Sequence, residues 1–348
     1  MDFLRENFDE FYDFIKPAVF RLTQHDPQVA HEWFLRLCNV LHTLRLERLV
    51  LNNSSNSLFP EFELSNAAGF NKNGDFHPRV LHYLGFDRVV VGTVTYDPWN
   101  GNPRPTIRRY PEVESMVNWM GLPGIGARAV AEKLERYGDH EVPLTINLMA
   151  TPGKQGDEIL KDVQETALAT RNLPYVDRFE LNISCPNAHN SDGKDMRREN
   201  LQRLDNLLTV LEDTVYEYHQ IYIKVSPDST EADVDDTLEV SKDHRRGGVT
   251  ACNTTTQHHR SYIPVSPMVD GKQVGGASGN AVHDSSLRVQ SLYNKKKTHS
   301  MDLIACGGIN SLERVSQRLE HGATGIQLYT PLVFSGPKLL RELRQYNS

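Results

Sequence analysis

The chain has 348 residues and a formal net charge of −7 at pH 7, with 39% hydrophobic and 24% charged residues. This composition is typical of a globular protein that forms one large barrel with a small appendage, or two domains. The acidic balance argues against a general nucleic-acid binder, because no basic excess is available to neutralise phosphates.

The spacing of cysteines, histidines and apolar residues further limits the class of protein. The four cysteines are widely spaced and form no C-x-x-C pair, which predicts a reducing compartment. No His/Cys cluster has metal-ligand spacing, so we expect no metal site. No apolar run approaches the roughly 18 residues of a membrane span, and the N-terminus lacks the pattern of a secretory signal.

The first 44 residues predict two amphipathic helices. Residues 1–22 carry apolar side chains at helical spacing, and Asp26 and Pro27 are typical of the N-cap and first position of a second helix. These helices could simply pack on a barrel, but their many aromatic residues equally favour contact with a membrane surface or an apolar ligand. A polar run at 52–57 predicts a linker, which gives an N-terminal helical extension over residues 1–51 and a second domain over 52–348.

Residues beyond 63 alternate short apolar runs with helical segments. The predicted strands are 64–69, 88–95, 144–149, 178–184, 221–226, 248–254, 303–307 and 325–329. The clearest predicted helices are 127–137, 157–171, 198–219, 231–243 and 312–321. Eight strand–helix repeats predict an α/β fold of the (β/α)8 TIM-barrel type. A doubly wound open sheet is the alternative, but it lacks a G-x-G-x-x-G after its first strand.

Polar residues stand at the end of every predicted strand, where such barrels build their active sites. The fourth strand is the most telling, because it ends in Asn182 and the run Ser184-Cys185-Pro186-Asn187. We interpret Cys185 as a catalytic base and the two asparagines as amides that orient a planar, polar substrate. A buried structural cysteine followed by a turn is the competing interpretation.

Glycine-rich segments near the C-terminus indicate a ligand that carries a phosphate. Gly307-Gly308 follows the seventh strand, and residues 275–279 read Gly-Gly-Ala-Ser-Gly. Loops after strands seven and eight commonly hold phosphates in these barrels, because glycine lets backbone N–H groups approach closely. Tight turns alone would also explain each glycine run.

Six short motifs together resemble those of the dihydroorotate dehydrogenase family, in the family's order. They are Asn71-Lys72-Asn73-Gly74, Gly92-Thr93-Val94-Thr95, Asn118-Trp119-Met120-Gly121, Asn182-Ile183-Ser184-Cys185-Pro186-Asn187, Asn253-Thr254-Thr255 and Gly307-Gly308-Ile309. The N-terminal stretch, with Asp26-Pro27 and Ala30-His31-Glu32, resembles the two-helix extension of the membrane-associated, quinone-using class.

The resemblance implies an FMN enzyme of pyrimidine biosynthesis that oxidises dihydroorotate to orotate and passes electrons to a membrane quinone. It implies FMN contacts at Ala68, Gly69, Lys72, Thr93, Asn147, Asn182, Lys224, Cys252, Gly279, Gly308, Tyr329 and Thr330. It implies substrate contacts at Lys72, Asn118, Trp119, Met120, Gly121, Leu122, Asn182, Asn187, Asn253 and Thr254. It further implies a quinone site at His31 and Arg109, Cys185 as the base, and a peripheral protein on the cytoplasmic side of a membrane.

The chain departs from the resemblance at three places. The quinone-using class has Ser where this chain has Cys185, whereas Cys is typical of the soluble class. Residues 122–124 and 188–192 also differ from the family's substrate and lid segments. We expect the extension to decide the electron acceptor, because it would build the acceptor site, while the base acts only on dihydroorotate.

Three other functions remain open from the sequence. One is a soluble-type dihydroorotate dehydrogenase that uses fumarate or NAD as acceptor. Another is a Schiff-base lyase that uses Lys72 or Lys224 as its amine. The third is a barrel that binds FMN without turnover.

Overall fold

The computed structural model describes residues 8–45, 62–183, 195–244, 246–260, 262–298 and 300–346. The predicted domain boundary at 51/52 lies outside these ranges.

Thirteen strands occur in the described residues. In chain order they are β1 (Glu63–Asn66), β2 (Val89–Val94), β3 (Ile107–Tyr110), β4 (Ser115–Asn118), β5 (Leu144–Leu148), β6 (Val176–Asn182), β7 (Gln220–Val225), β8 (Arg246–Ala251), β9 (Met268–Val269), β10 (Lys272–Gln273), β11 (Gly276–Gly279), β12 (Asp302–Cys306) and β13 (Gly325–Leu328).

Eight of these strands form one parallel sheet in the order β1-β13-β12-β8-β7-β6-β5-β2. Parallel bridges from Ser65 to Arg88 and from Asn71 to Val91 join the two ends of this order. The sheet therefore curls into a barrel, and each of the eight predicted strands matches one of its members. The TIM-barrel prediction is confirmed, and the open doubly wound sheet is wrong.

Eleven α-helices accompany the strands in the described residues. They are α1 (Phe8–Leu22), α2 (Gln28–Thr43), α3 (Arg79–Leu84), α4 (Ala127–Tyr137), α5 (Asp157–Thr170), α6 (Asp195–Thr214), α7 (Glu231–Val240), α8 (His283–Lys296), α9 (Leu312–Glu320), α10 (Thr330–Ser335) and α11 (Lys338–Tyr346).

The predicted helix over 198–219 ends early, at Thr214 in α6. The backbone N–H of Tyr216 donates to His219 Nδ1 at 3.1 Å, so residues 215–219 form a side-chain-bonded turn before β7. Such local bonds compete with helix continuation. The predicted helix over 231–243 likewise ends at Val240, and a 3₁₀ turn over Ser241–Asp243 follows.

The N-terminal helices lie against the barrel. The prediction of Asp26 as the N-cap of α2 is wrong by one residue, because the helix begins at Gln28 and its N-cap is Pro27. Asp26 Oδ1 still accepts a hydrogen bond from the Gln28 N–H at 3.2 Å. Tyr12 of α1 donates to the Val333 carbonyl at 2.6 Å, and Lys16 donates to the Phe334 carbonyl at 2.9 Å. These bonds attach α1 to α10.

Both N-terminal helices also keep large apolar side chains in solvent. The exposed ones are Phe14, Leu22, Trp33, Leu37, Val40 and Leu44, with Phe14 at 82% exposure. Within the described ranges no helix has the length and apolar character needed to cross a bilayer.

A small antiparallel sheet stands over the barrel mouth. It has the order β11-β4-β3, in which Gly276 pairs with Asn118 and Ile107 pairs with Asn118 from the other side. Because β4 carries Asn118 at its end, this sheet brings the segment 118–122 to the carboxyl ends of the barrel strands.

Candidate active site

A cavity of about 740 Å³ opens at the carboxyl ends of the barrel strands. Its walls include most of the residues implicated by the sequence: Ala68, Gly69, Lys72, Thr93, Asn118, Trp119, Met120, Gly121, Leu122, Asn182, Lys224, Cys252, Asn253, Thr254, Gly279, Gly308, Tyr329 and Thr330. Asn147, His31 and Arg109 do not line it. Cys185 and Asn187 lie outside the described residues, so their predicted roles remain predictions.

Lys72 supplies the cavity with a cationic group shortly after the first strand. It follows β1, lines the cavity, and donates from Nζ to the Thr93 carbonyl at 2.9 Å. Burial lowers the pKa of Lys72 to about 8, and the carboxylate of Asp75 only partly opposes that effect. An ammonium so placed is suited to an anionic ligand group, because a carboxylate would replace the solvation lost on burial.

A polar layer inside the barrel forms the floor below the cavity. Glu180 is at its centre and accepts hydrogen bonds from Asn147 at 2.6 Å, from Gln327 at 2.9 Å and from Thr250 at 2.5 Å. Lys224 donates to Gln327 at 2.9 Å and lies 3.7 Å from Glu180. Burial opposes the charge on Lys224, but the attraction of Glu180 outweighs it and the pKa of Lys224 is raised. A charged lysine therefore faces the cavity from below.

The sequence did not point to Glu180, and the family resemblance implied an FMN contact at Asn147. Asn147 instead lies within the barrel floor, where it supports Glu180 and is fully buried. The signal for Glu180 was present, because a carboxylate between Phe179 and Leu181 in a buried strand requires polar partners. Those partners come from three other strands, and no local pattern identifies them.

Three amide and hydroxyl groups converge on the cavity from β6, β2 and the end of β8. Asn182 donates to Thr93 Oγ1 at 3.3 Å, and Asn253 donates to Asn182 Oδ1 at 3.2 Å. The Thr254 N–H donates to Asn253 Oδ1 at 2.9 Å. Amides offer a donor and an acceptor on one plane, so this group can match the edges of a flat heterocycle.

Glycines form another part of the cavity wall, at positions where side chains would not fit. A Cβ on Gly279 would lie 2.3 Å from the Glu114 carbonyl oxygen, and one on Gly308 would lie 2.6 Å from His283 Cβ. Both residues have positive φ, +80° and +70°. At these two positions the cavity is lined by backbone alone, and backbone N–H groups can bind the oxygens of a phosphate.

An aromatic path leads from the N-terminal helices to the cavity. The ring of His31 lies 6.3 Å from that of Phe34 and 6.0 Å from that of Phe70, and Phe70 lies 5.3 Å from the cavity residue Tyr329. Burial lowers the pKa of His31, so its imidazole is neutral at pH 7.

The other predicted residue of this region, Arg109, lies at the junction of α1 with β3. Its guanidinium stacks over Phe20 at 4.1 Å and donates to Thr23 Oγ1 at 2.7 Å. His31 and Arg109 therefore both lie between the helical extension and the barrel. The contacts of His31 and Arg109 do not identify a ligand, so the assignment of these two residues to a quinone site remains a prediction.

These features define a class: a (β/α)8-barrel protein with one large cavity at the carboxyl ends of its strands, floored by a buried Lys–Glu pair and walled by amides and glycines. The chain belongs to the dihydroorotate dehydrogenase family, whose family model, described as "Dihydroorotate dehydrogenase", matches residues 56–346.

Similar curated proteins match over nearly the whole chain. The "Dihydroorotate dehydrogenase (quinone)" of Natronomonas pharaonis is 32% identical, over 96% of this chain and 93% of its own length. A protein of the same name from Thermosynechococcus vestitus is 30% identical, over 96% of this chain and 95% of its own length. The family prediction is therefore confirmed.

Solved structures support the fold. The crystal structure of DHODH from Eimeria tenella in complex with ferulenol aligns with a TM-score of 0.74 and 22% identity, over 92% of this chain and 90% of that one. The ligand-free type from the same organism aligns with a TM-score of 0.71.

Proposed function

We propose that this protein is an FMN-dependent dihydroorotate dehydrogenase that forms orotate for pyrimidine biosynthesis and passes the electrons to a quinone. The observation that supports it most is the convergence in one cavity of Lys72, the Asn182–Asn253 amides and the buried Lys224. The names of its curated relatives agree with this reaction and this acceptor.

The cavity suits FMN on two grounds. Its glycine wall exposes backbone toward a phosphate, and Lys224 supplies a fixed positive charge that favours an electron-rich ring. Bound FMN would supply the acceptor for the hydride that leaves C6 of dihydroorotate. The residues that would hold it are Ala68, Gly69, Thr93, Lys224, Cys252, Gly279, Gly308, Tyr329 and Thr330.

The same cavity suits dihydroorotate. Lys72 would bind its carboxylate, and Asn182, Asn253 and the 118–122 segment would bind the amide-like edges of the ring. We assign Cys185 as the base that removes the proton from C5. A thiol with an ordinary pKa near 8.5 ionises far more easily than a serine hydroxyl, which makes it a usable base near neutral pH.

The electron acceptor would approach through the N-terminal helices. The His31–Phe34–Phe70–Tyr329 path is apolar and aromatic, as a quinone ring requires, and it ends at the cavity. The apolar side chains exposed on α1 and α2 would provide peripheral contact with the membrane that holds the quinone.

An absorbance spectrum of the purified protein tests this function. We expect a yellow protein that bleaches with anaerobic dihydroorotate and regains its colour with a soluble quinone. Recovery with fumarate or NAD instead would assign it to the soluble type. A colourless protein that borohydride inactivates together with a carbonyl substrate would support a Schiff-base lyase.

The role of Cys185 has its own test. Cys185→Ala should retain the yellow colour and lose nearly all reduction by dihydroorotate, because the thiol acts on substrate and not on cofactor binding. Cys38→Ala, which removes a thiol buried within α2, is the control, and its flavin should be reduced by dihydroorotate at the wild-type rate. Unchanged reduction in Cys185→Ala would disprove the assignment.

A further inference from the structure

Two guanidinium groups lie behind the Gly307-Gly308 turn, on the side away from the cavity. Both come from α9, and neither lines the cavity, whereas both glycines do. Arg318 donates to the Gly307 carbonyl at 2.7 Å. Arg314 donates to the Gly308 carbonyl at 2.8 Å.

These bonds determine where the turn directs its N–H groups. In a planar trans peptide the C=O and the following N–H point in opposite directions. Because the arginines hold the carbonyls of Gly307 and Gly308 outward, the N–H groups of Gly308 and Ile309 are directed toward the cavity side. His283 Nδ1 lies 3.2 Å from the Gly308 carbonyl and holds it from the same outer side.

The other acceptors of Arg318 are neutral. It donates to Ser286 Oγ and Gln290 Oε1, both at 3.0 Å, and its side chain is completely buried. Its Nε has no hydrogen-bond partner among the described residues. Burial lowers the pKa of Arg318 to about 10, which still leaves it charged at pH 7.

The hydrogen-bond acceptors of Arg314 are also neutral. Besides Gly308 it donates to Asn310 Oδ1 at 2.9 Å and to Asn280 Oδ1. Two carboxylates are nearby: Glu114 accepts from Asn310 at 2.7 Å, and Asp284 acts on Arg318 through space. Over the described ranges, however, neither arginine forms an ion pair with any carboxylate.

Arg318 is a buried positive charge and Arg314 a half-buried one, and without an ion-pair partner among the described residues such charges are costly unless an anion binds near them. We propose that Arg314 and Arg318 are positioning residues for the phosphate of the cofactor: they aim the N–H groups of the glycine turn at the dianion and balance its charge from behind. This inference rests on the proposed function, in which the cofactor is FMN.

The proposal makes a specific prediction about flavin selectivity. FMN and riboflavin share the isoalloxazine ring and differ only in the phosphate. Arg314→Gln should therefore weaken FMN binding by about tenfold and riboflavin binding by less than about twofold, since a charge at this range from a dianion contributes on that order. Arg318→Gln should act in the same way, and Arg318→Lys should restore part of the selectivity.

Flavin release on dilution of the yellow holoprotein, followed by fluorescence, measures FMN affinity. Exchange against excess riboflavin then gives the FMN-to-riboflavin ratio. Arg171→Gln is the matched control: Arg171 is a half-buried arginine at the end of α5 that also donates to a backbone carbonyl, that of Thr214 at 2.5 Å. It should leave both affinities unchanged.

Each outcome has a separate meaning. If Arg314→Gln and Arg318→Gln weaken FMN and riboflavin equally, or weaken neither, the positioning role is wrong. If Arg318→Gln fails to fold, Arg314→Gln at the outer edge of the turn still decides the question. A wild-type protein that binds no flavin would overturn the proposed function itself, which separates that failure from failure of the arginine inference.

Discussion

Lys72 is buried and forms no ion pair with the described residues, although the Asp75 carboxylate acts on it through space. Its ammonium contacts a carbonyl, and its pKa is lowered to about 8 because the charged form loses water on burial. A carboxylate ligand requires the charged form. The affinity of the cavity for such a ligand must therefore depend on pH near the pKa of this one residue.

We predict that orotate binding weakens as pH rises above 8, by up to tenfold per pH unit, as Lys72 loses its proton. Lys72→Met should bind orotate roughly ten- to a hundredfold more weakly at pH 7 and show no such pH dependence. Titration of the flavin absorbance with orotate from pH 6 to 10 measures both effects. Lys242→Met, in an exposed ion pair on the outer surface, should match wild type. A wild-type affinity that is constant from pH 7 to 10 would contradict the prediction.

Residue-level chemistry could be predicted where it is local. Lys72, Asn182 and Gly308 all stand at strand ends in the sequence, and all line the cavity. Glu180 was not predicted, because its role depends on Asn147, Thr250 and Gln327, which the barrel brings together from distant strands. Arg314 and Arg318 were not predicted for a related reason. On an amphipathic helix the sequence suggests that they are solvent-exposed, and only the fold brings them to the carbonyls of Gly308 and Gly307.

At the scale of elements, the contact of α2 with the barrel contains three neighbouring histidine rings, the first pair tilted and the second edge-to-face. His42 of α2 lies 4.2 Å from His77, and His77 lies 5.6 Å from His140, measured between ring centroids. His77 Nδ1 accepts from the Arg79 N–H at 3.1 Å, and its Nε2 faces the Tyr137 carbonyl at 3.3 Å, which requires the neutral ring. Asp139, Arg79 and Tyr175 are the other polar neighbours of His140.

Burial is the main cause of the low pKa values of this group, about 3 for His77 and about 4 for His140. In the unfolded chain both would have their ordinary pKa near 6.5. The unfolded state therefore binds more protons, so their contribution to stability is complete above pH 6.5 and is lost as pH falls toward 4.

We expect His140→Phe to make the loss of stability between pH 6.5 and 4 shallower than in wild type. Neither ring nitrogen of His140 has a hydrogen-bond partner among the described residues, so phenylalanine removes the titration without breaking a bond. Urea unfolding at several pH values measures the slope. His25→Phe, at an exposed position between α1 and α2, is the control and should keep the wild-type slope. Equal slopes for wild type and His140→Phe would show that this cluster does not set the acid sensitivity.

Element boundaries show where local patterns are sufficient. The helix at Ala127–Tyr137 begins and ends as predicted. Its end was predictable because Gly138, with φ of +72°, follows it directly. The helix before β7 was predicted five residues too long, since Val215 and Tyr218 continue an apolar and aromatic pattern that a His219 side-chain bond interrupts. The periodicity of apolar residues does not predict a single hydrogen bond of this kind.

At the scale of the whole molecule, the barrel and the extension would carry the two halves of the proposed reaction. The cavity residues that would meet dihydroorotate all come from residues 67–331, while the aromatic path begins on α2. This division predicts that the two half-reactions can be separated.

Deletion of residues 1–45 should impair turnover with a long-chain quinone in vesicles at least tenfold, because it removes His31 and Phe34 from the path and the apolar side chains of both helices. Bleaching by dihydroorotate should continue at the wild-type rate. Stopped-flow absorbance measures the bleaching, and steady-state assays with quinone vesicles or a soluble dye measure reoxidation. Normal flavin content and far-UV circular dichroism are needed as evidence of a folded barrel. Intact quinone turnover in that folded variant would reduce the extension to a packing element.

The attachment of α1 to α10 has a mechanical consequence. Tyr12 and Lys16 donate hydrogen bonds to the carbonyls of Val333 and Phe334. These residues lie about one helical turn from Thr330, which lines the cavity. By thermodynamic linkage, any effect of rim occupancy on docking of the extension is matched by an equal effect of docking on rim occupancy. We therefore expect a ligand that immobilises the rim to slow detachment of the extension, and the docked extension to slow release of that ligand.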